Sequence, residues 1–435
     1  MRILYIHQYF ATFDSATGCR SYEFARRFVA AGHEVHLVTS DAMLPSPLKK
    51  EQANYRLCIE GIRVNAIPVP YENRMDFRRR VGAFFSFALK SCRVIRVLAK
   101  PDVVFATSTP LTVGIPGAYA AWFHCCPLVF EVRDLWPEVP IALGWLRNPL
   151  LKFLARRFER WVYRRSARVN ALSPDMARGV ARTGFPDSRI AVIPNCSDVN
   201  YYASVRGDDE FRRRMGWPKG KIVVVHPGAM GQVNGLGGVL DAAPCLAKLA
   251  PEVLVALVGD GRERKEIESR VAEERLDNVL FQNPVPKREM PRLLAASDIG
   301  LMTVLPVPAL FANSANKFFD FLAAGLPVVM NYGGWKAKLL RENKCGLASK
   351  PGDAEGLAIA IAQLAADEKL RQRMGDNARR LAEERFSRDD LARQLLHVLE
   401  GVATEPSAQA DCYSGHITTC NGRGRAGAGA AGFPP

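Results

Sequence analysis

Short apolar runs alternate with helical patterns along most of the chain. Runs such as VVFAT at 103–107 and IVVV at 222–225 contain no charged residue, and helical patterns follow them. Strands that are apolar throughout are typical of parallel sheets covered by helices on both faces, and the alternation predicts βαβ units. The pattern starts again with KIVVVHPG at 221–228. We therefore predict an α/β protein with two Rossmann-like, doubly wound domains.

Composition divides the chain further. We predict a first domain over residues 1–205 and a second over 206–403, whose final helix can cross back to the first. Residues 404–435 are rich in Ser, Gly and Ala and lack apolar bulk, so this tail is predicted to be disordered. Two doubly wound domains in tandem place a ligand cleft between the carboxyl ends of their sheets.

Charge and cysteine usage narrow the functional classes. The 435 residues carry a formal charge of +15, and residues 1–200 alone hold 28 Lys and Arg against 16 Asp and Glu. This asymmetry predicts an anionic partner. The ten Cys form no CxxC motif, so we predict neither a disulfide framework nor a metal site, and a cytoplasmic location. The charge-free segment 103–130 contains Pro110 and Pro116, which favours strand, loop and helix over a membrane span.

Two features of the second domain predict phosphate binding. Gly228 and Gly231 form a turn after a strand, where glycine lets backbone amides approach an anion, although an ordinary tight turn is the alternative. No GxGxxG motif is present, so a nicotinamide enzyme is not favoured. Asn316 and Lys317 begin a predicted helix, and Lys317 is unfavourable there unless an anion binds. Asp320 could then hold a ribose diol; ordinary surface charges are the alternative.

Candidate residues of the first domain lie at predicted strand ends. FEVRDLWPE at 130–138 places Arg133, Asp134 and Glu138 after a strand, where Asp134 could act on a substrate hydroxyl and Arg133 could keep it ionised. Gly18 could admit a ligand to the backbone, and Arg20 could bind an anion. A structural Arg–Asp pair and a simple turn are the alternatives.

Two basic, apolar helices are predicted at 78–100 and 150–168. Helices that mix Phe, Trp and Leu with clustered Arg can lie on anionic lipid headgroups, and packing on the sheet with a solvated charged face is the alternative. No nucleic-acid recognition module is recognisable, so a nucleic-acid partner is not predicted.

The motifs resemble a known family when they are taken in order. GHEVHLVTS (32–40), FEVRDLWPE (130–138), VGDG (258–261) and KFFDFLAAGLPVV (317–329) are similar to the family 4 glycosyltransferases of the GT-B fold. RDLWPE and NSANKFFDFLAAG are most similar to the WbuB-like branch, which is associated with L-fucosamine transfer. The resemblance spans about residues 1–400.

The resemblance implies a retaining transfer from a nucleotide sugar, usually UDP-linked, without a required metal or other cofactor. Asp320 matches the second acid of the family's E-x7-E motif, which holds the donor ribose. The first acid falls on Ala312, and the family's phosphate-binding Arg and Lys fall on Ala229 and Asn234. Phosphate binding is then left to backbone amides, Lys317 and Arg133.

We therefore expect a glycosyltransferase of surface-polysaccharide assembly, peripheral on the inner face of the cell membrane. It would move an N-acetylated deoxyhexosamine from UDP to a polyprenyl-diphosphate-linked saccharide or a polysaccharide. Asp134 and Arg133 are the expected catalytic residues. The expected donor-binding residues are Gly18, Gly228, Gly231, Asn316, Lys317 and Asp320, and the expected acceptor-binding residues are Arg20 and Glu138. A non-catalytic nucleotide-sugar-binding protein and an epimerase on the same fold are the alternatives.

Overall fold

The computed structural model describes residues 1–15, 18–50, 54–71, 75, 77–205, 207 and 209–405. Within these ranges the chain forms two α/β units, each built on a sheet of mainly parallel strands. The predicted fold class, with two Rossmann-like units, is confirmed. Most of the predicted tail, residues 406–435, lies outside the described residues.

The first unit has an eight-stranded sheet in the order β3-β4-β2-β1-β5-β6-β7-β8. Its strands are β1 (Arg2–Ile6), β2 (Glu34–Ser40), β3 (Tyr55–Ile59), β4 (Ile62–Ile67), β5 (Val103–Thr107), β6 (Leu128–Val132), β7 (Arg168–Ala171) and β8 (Ile190–Val192). The helices of this unit are α1 (Arg20–Ala30), α2 (Phe77–Ile95), α3 (Gly114–His124), α4 (Glu138–Ala142), α5 (Pro149–Arg164), α6 (Pro174–Ala181) and α7 (Val199–Ala203).

Strand β3 is one of the elements that the sequence pattern did not predict. It pairs antiparallel with β4, and the hairpin turn between them holds Glu60 and Gly61 at positive φ. Only Tyr55 of β3 is fully buried, while Arg56 and Cys58 are exposed. An edge strand with so little buried surface leaves no apolar run in the sequence.

The second unit has a six-stranded sheet in the order β11-β10-β9-β12-β13-β14. Its strands are β9 (Ile222–Pro227), β10 (Val253–Val258), β11 (Val279–Gln282), β12 (Ile299–Met302), β13 (Val328–Met330) and β14 (Gly346–Ala348). The remaining helices are α8 (Asp209–Arg214), α9 (Gly237–Leu249), α10 (Arg264–Glu274), α11 (Met290–Ala295), α12 (Asn316–Ala324), α13 (Trp335–Glu342), α14 (Ala354–Ala366), α15 (Glu368–Arg385) and α16 (Arg388–Thr404).

Helix α16 joins the two units. It packs against α1, where Arg27 Nε lies 2.6 Å from Asp389 Oδ1. An isolated bridge between Ser197 and Ser387 connects the segments before α7 and α16. The last helix of the described residues therefore lies on the first unit, and one cluster of buried apolar residues runs through both units.

The described part of the chain contains no helix that is both long enough and apolar enough to cross a membrane. The charge-free segment 103–130 forms β5, α3 and β6.

Candidate functional site

A cavity of about 560 Å³, here called the cleft, lies between the two units. One wall comes from the carboxyl ends of first-unit strands and includes His7 and Asp134. The opposite wall comes from the segment after β12 and from the start of α12, and includes Thr303. The cleft brings together five residues predicted from the sequence: Gly18, Arg133, Asp134, Asn316 and Lys317.

Lys317 places a cation on the second-unit wall, and His226 holds it there. The Lys317 Nζ lies 2.7 Å from His226 Nε2, and because an ammonium can only donate, the imidazole nitrogen accepts. His226, on β9, is fully buried, and its Nδ1 has no hydrogen-bond partner among the described residues. Burial lowers the pKa of Lys317 to about 7. Burial, and secondly the charge of Lys317, lower the pKa of His226 well below its ordinary value.

A second amine, Lys336 of α13, lies behind this wall without an acidic partner. Its side chain is fully buried, its Nζ contacts Asn313 Oδ1, and it lies 5.2 Å from the centre of the Tyr332 ring. Burial, followed by repulsion from Lys317, lowers the pKa of Lys336 well below its ordinary value. Within the described ranges, no carboxylate forms an ion pair with Lys317 or Lys336. A bound anion would favour the charged form of these amines, so this wall fits an anionic ligand.

The glycine turn predicted to bind the donor borders Lys317 and is tightly packed. Gly228 has a φ of +135°, and a Cβ at this position would lie 3.2 Å from Lys317 Nζ. A Cβ on Gly259 would lie 1.8 Å from the Gly228 carbonyl oxygen. Gly231 precedes a short 3₁₀ helix at Gln232–Asn234, and Asn234 lines the cleft. Gly228 and Gly259 are therefore needed for the close approach of two turns and of the Lys317 side chain, whereas a Cβ at Gly231 would have no atom within 4 Å.

Gly18 and Asn316 meet where the units approach each other. A Cβ on Gly18 would lie 2.2 Å from Asn316 Nδ2, so a larger residue would displace that amide. Helix α12 begins at Asn316, and its N-cap residue Ala315 offers no side-chain hydrogen bond. No N-cap side chain therefore satisfies the backbone N–H groups of the first turn, which contains Lys317.

Arg133 and Asp134 directly follow the carboxyl end of β6. The Arg133 backbone N–H donates to Ser108 Oγ at 2.9 Å, and its Nη1 lies 3.1 Å from His7 Nε2. Asp134 lines the cleft and is exposed there, but the surrounding walls partly desolvate its carboxyl group and raise the pKa of Asp134 to about 6, although Arg133 acts in the opposite direction. Arg133, which the sequence predicted to keep Asp134 ionised, lowers the pKa of Asp134 by less than desolvation raises it. A carboxyl group with a pKa near 6 is mostly ionised at neutral pH and can accept a proton.

Arg20 does not reach the cleft, contrary to the prediction that it binds the acceptor. Its side chain is buried, with Nη2 lying 2.9 Å from Glu131 Oε2 and Nη1 donating to the Pro194 carbonyl at 2.7 Å. Glu131 is fully buried and also accepts from Thr107 Oγ1 and Asn170 Nδ2. The pair is surrounded by partners because a buried charge is tolerated only when it is paired and hydrogen-bonded.

Asp320 and Glu138 also lie outside the cleft. Asp320 Oδ1 accepts a hydrogen bond from Ser197 Oγ at 2.7 Å, and Asp320 Oδ2 pairs with Lys287. The carboxylate therefore stabilises contacts between the units and is not available to a donor ribose. Glu138 Oε1 pairs with Arg156 Nε at 2.9 Å and lines a separate groove. The ribose-binding role of Asp320 and the acceptor-binding role of Glu138 are therefore not supported.

Sequence reasoning missed the residues that hold the charged groups in place. His226 follows an apolar strand and precedes a glycine, a position that could have attracted attention. His7 gave a weaker signal of the same kind after β1. Lys336 and the Lys287–Asp320 pair gave none, because their partners lie 23 and 33 residues away along the chain.

Family models match the chain in two places. A glycosyl transferase 4-like domain matches residues 17–196, and a glycosyl transferases group 1 domain matches residues 207–381. These ranges together cover most of the described chain and follow the division into two units.

Individual relatives are more distant. The chain is 26% identical to a 2-deoxystreptamine glucosyltransferase of Streptomyces kanamyceticus over 67% of this chain and 70% of the relative. It is 24% identical, over 88% of this chain and 97% of the relative, to WcaI of Escherichia coli K12, which is named for glycosyl transfer in colanic acid biosynthesis. The solved structure of Anabaena HepE in complex with UDP-glucose superposes with a TM-score of 0.68 at 20% identity, covering 92% of this chain and all of HepE. The chain belongs to the glycosyltransferases of the GT-B fold, with a glycosyl transferase 4-like first unit and a group 1 second unit.

Proposed function

We propose that this enzyme is a retaining glycosyltransferase that moves a sugar from UDP to a lipid-linked or polysaccharide acceptor in surface-polysaccharide biosynthesis. The observation that carries the proposal is the cleft, where Lys317 lines the second-unit wall without an acidic partner among the described residues and Asp134 lines the first-unit wall. An anionic donor and a hydroxyl-bearing acceptor are the two ligands that these walls fit.

The donor diphosphate binds at the second-unit wall in this proposal. Lys317 contributes a charge, and Asn316 and the first-turn amides of α12 contribute hydrogen-bond donors. Lys317 takes over from the family's phosphate-binding cations, whose positions hold Ala229 and Asn234 here. The HepE structure contains UDP-glucose, which supports a UDP-sugar as the donor class.

The acceptor reacts at the first-unit wall. Asp134 accepts the proton of the acceptor hydroxyl, the hydroxyl oxygen bonds to the anomeric carbon on the face that the diphosphate leaves, and UDP departs. Arg133 and Lys317 stabilise the negative charge that develops on the diphosphate. Such a front-face displacement retains the configuration of the transferred sugar.

The sequence segments and the name of one relative support narrower proposals for the donor sugar and the acceptor. The segments RDLWPE and NSANKFFDFLAAG resemble the WbuB-like branch, and this resemblance favours an N-acetylated deoxyhexosamine as the donor sugar. The name of WcaI refers to colanic acid biosynthesis, which supports an acceptor of polysaccharide biosynthesis, and we propose a polyprenyl-diphosphate-linked saccharide as that acceptor.

A UDP-release assay tests the proposal. The full chain is incubated with candidate UDP-sugars, with and without a polyprenyl-diphosphate-linked saccharide, after a thermal-shift screen has identified the donors that bind. We expect UDP to form only when the acceptor is present. A non-catalytic binding protein, the reading that Ala312, Ala229 and Asn234 favour, would be stabilised by a UDP-sugar without releasing UDP.

Replacing Lys317 by Gln is expected to weaken UDP binding about ten- to a hundredfold, the value of one or two charged hydrogen bonds. The affinity of the wild-type chain should also fall as the pH rises above 7, because the pKa of Lys317 is about 7 in the free protein and the neutral amine attracts the diphosphate less. Calorimetry from pH 6 to 9 measures both effects. Lys338→Gln, which alters an exposed lysine on α13, is the matched control. Equal UDP affinity in the two variants would remove Lys317 from the donor site.

We further propose that the first unit contacts an anionic membrane surface through helices α2, α3 and α5, which pack on the same face of the first sheet. The exposed large apolar residues on this three-helix surface are Phe85, Leu89, Trp122, Phe123, Leu150, Leu151, Phe153 and Leu154. Such residues can enter a lipid interface while neighbouring arginines meet the phosphates. This gives the enzyme a peripheral place on the inner face of the cell membrane.

Replacing both Phe153 and Leu154 by Ser is expected to weaken binding to phosphatidylglycerol vesicles at least about tenfold, since each side chain contributes about 1.5–3 kcal/mol when it is buried. Vesicle sedimentation measures binding, which should also weaken as salt is added because exposed charges are screened over about 8 Å at physiological ionic strength. Ile359→Ser, at a second-unit residue with 51% of its surface exposed, serves as control. Binding of equal strength to neutral vesicles would contradict the electrostatic part.

A further inference from the structure

A second groove, of about 580 Å³, lies outside the cleft between α5, α6 and the short 3₁₀ helix Pro308–Ala312 of the second unit. Four arginines line it: Arg156 and Arg160 from α5, and Arg178 and Arg182 from α6 and its C-terminal cap. Residues four apart share one face of a helix, so each helix presents a row of guanidinium groups to the groove. We call this cavity the arginine groove.

The arginine groove contains more arginines than carboxylates that form ion pairs with them. Glu138 pairs with Arg156, and Asp175 pairs with Arg178. Neither Arg160 nor Arg182, both exposed, forms an ion pair with a carboxylate of the described chain. Two cations therefore remain for a ligand.

The buried acid of the groove, Glu159, does not restore the balance. Its side chain is 5% exposed and accepts a hydrogen bond from Tyr163 at 3.1 Å. Burial raises the pKa of Glu159 to about 7, outweighing the opposite effect of the Tyr163 hydrogen bond. About half of this group is uncharged at neutral pH, which leaves the excess of arginine charge in place.

The surroundings of the groove indicate an amphiphilic anion. Its base includes apolar Leu135 and Ala312, and the first turns of α5 expose Leu150, Leu151 and Phe153 to solvent. An anionic headgroup can thus bind the arginines while an attached apolar chain follows the exposed start of the same helix.

The arginine groove and the cleft both border α4. Val139 of this helix lines the cleft, whereas Glu138 lines the groove. A helix with its side chains is about 10 Å across. A short saccharide attached to an anion in the groove can therefore reach around α4 into the cleft.

We propose that the arginine groove binds the diphosphate of the lipid-linked acceptor, with Arg160 and Arg182 as its principal ligands. The proposal rests on the proposed function, because only an acceptor that carries a lipid diphosphate needs such a site beside the cleft. Arginine suits this role because its planar guanidinium group donates two parallel hydrogen bonds to phosphate oxygens. The chemistry is shared with a phospholipid headgroup, and the experiment separates the two sources.

Farnesyl diphosphate, a short prenyl diphosphate, is the probe. The full chain is titrated calorimetrically with it while UDP saturates the cleft. We expect binding to the wild type, and a loss of about tenfold or more in affinity for the Arg160→Gln, Arg182→Gln double variant. The matched control is the Arg157→Gln, Arg164→Gln double variant, which removes two exposed arginines of α5 that do not line the groove and should change the affinity less than about twofold. Melting temperatures establish that both double variants are folded.

Three results would overturn the proposal. Equal losses in the two double variants would indicate non-specific attraction to α5, and displacement of farnesyl diphosphate by UDP would place it in the cleft. A selective loss of phosphatidylglycerol-vesicle binding by Arg160→Gln, Arg182→Gln would assign the groove to a phospholipid headgroup. Titration of the same preparations with UDP tests the donor site separately, so a failure of the proposed function is recognised by absent UDP binding, whatever the groove does.

Discussion

Replacing Asp134 by Asn is expected to lower the turnover of the glycosyltransferase by about 10²–10⁴-fold, the usual contribution of a general base. The amide keeps the shape of the side chain but cannot accept the acceptor's proton. UDP affinity should change little, because Lys317, the main cation assigned to the donor diphosphate, lies on the opposite wall of the cleft. In the wild-type enzyme, turnover should fall as the pH drops below about 6, where Asp134 becomes protonated.

Melting temperature, UDP affinity and turnover measured on one preparation separate catalysis from stability. Asp187→Asn is the matched control, since it neutralises an exposed acid of the first unit that lines neither the cleft nor the arginine groove. We expect this control to retain most of its turnover. Near-normal turnover in a stably folded Asp134→Asn variant would end the assignment of Asp134 as the base.

Replacing Arg20 by Met is expected to lower the free energy of unfolding by about 3–5 kcal/mol, because it leaves the buried Glu131 carboxylate without its cation. Denaturant unfolding measures the loss. Arg156→Met, which breaks the exposed pair with Glu138, should cost no more than about 1 kcal/mol. Adding Glu131→Gln to Arg20→Met removes the unpaired charge and should recover part of the stability.

A loss of acceptor binding without a loss of stability would instead support the acceptor-binding role that the sequence predicted for Arg20. If Arg20 binds the acceptor, its replacement would raise the acceptor concentration needed for half-maximal rate while leaving the free energy of unfolding unchanged. That result would also contradict the buried position of the Arg20–Glu131 pair.

The fold could be predicted almost completely because its signals are local. Central strands such as β5 and β9 are rich in apolar residues and contain no Asp, Glu, Lys or Arg, and the helices between them have their own patterns. The exceptions are the edge strands β3 and β14, which have one buried residue each and carry too little hydrophobic surface to be distinguished from loops.

The candidate site could be predicted only in part. Lys317 and Asp134 lie at a helix start and a strand end, positions that parallel-sheet topology directs toward a cleft. Arg20, Glu138 and Asp320 are also charged residues near such positions, but their partners decide where they point. Those partners, Glu131, Arg156 and Lys287, are 111, 18 and 33 residues away, and no local pattern connects residues at these separations.

The central claim is that the cleft transfers a sugar from a UDP-sugar to an acceptor. Its most direct test is the mass of a polyprenyl-diphosphate-linked saccharide after incubation with the enzyme and a UDP-sugar that stabilises it. The account predicts that the acceptor gains the mass of one sugar residue with the wild-type chain, and that the gain is strongly reduced with Lys317→Gln and with Asp134→Asn. An unchanged acceptor mass with a wild-type chain that binds the donor, or a full gain with both variants, would contradict it.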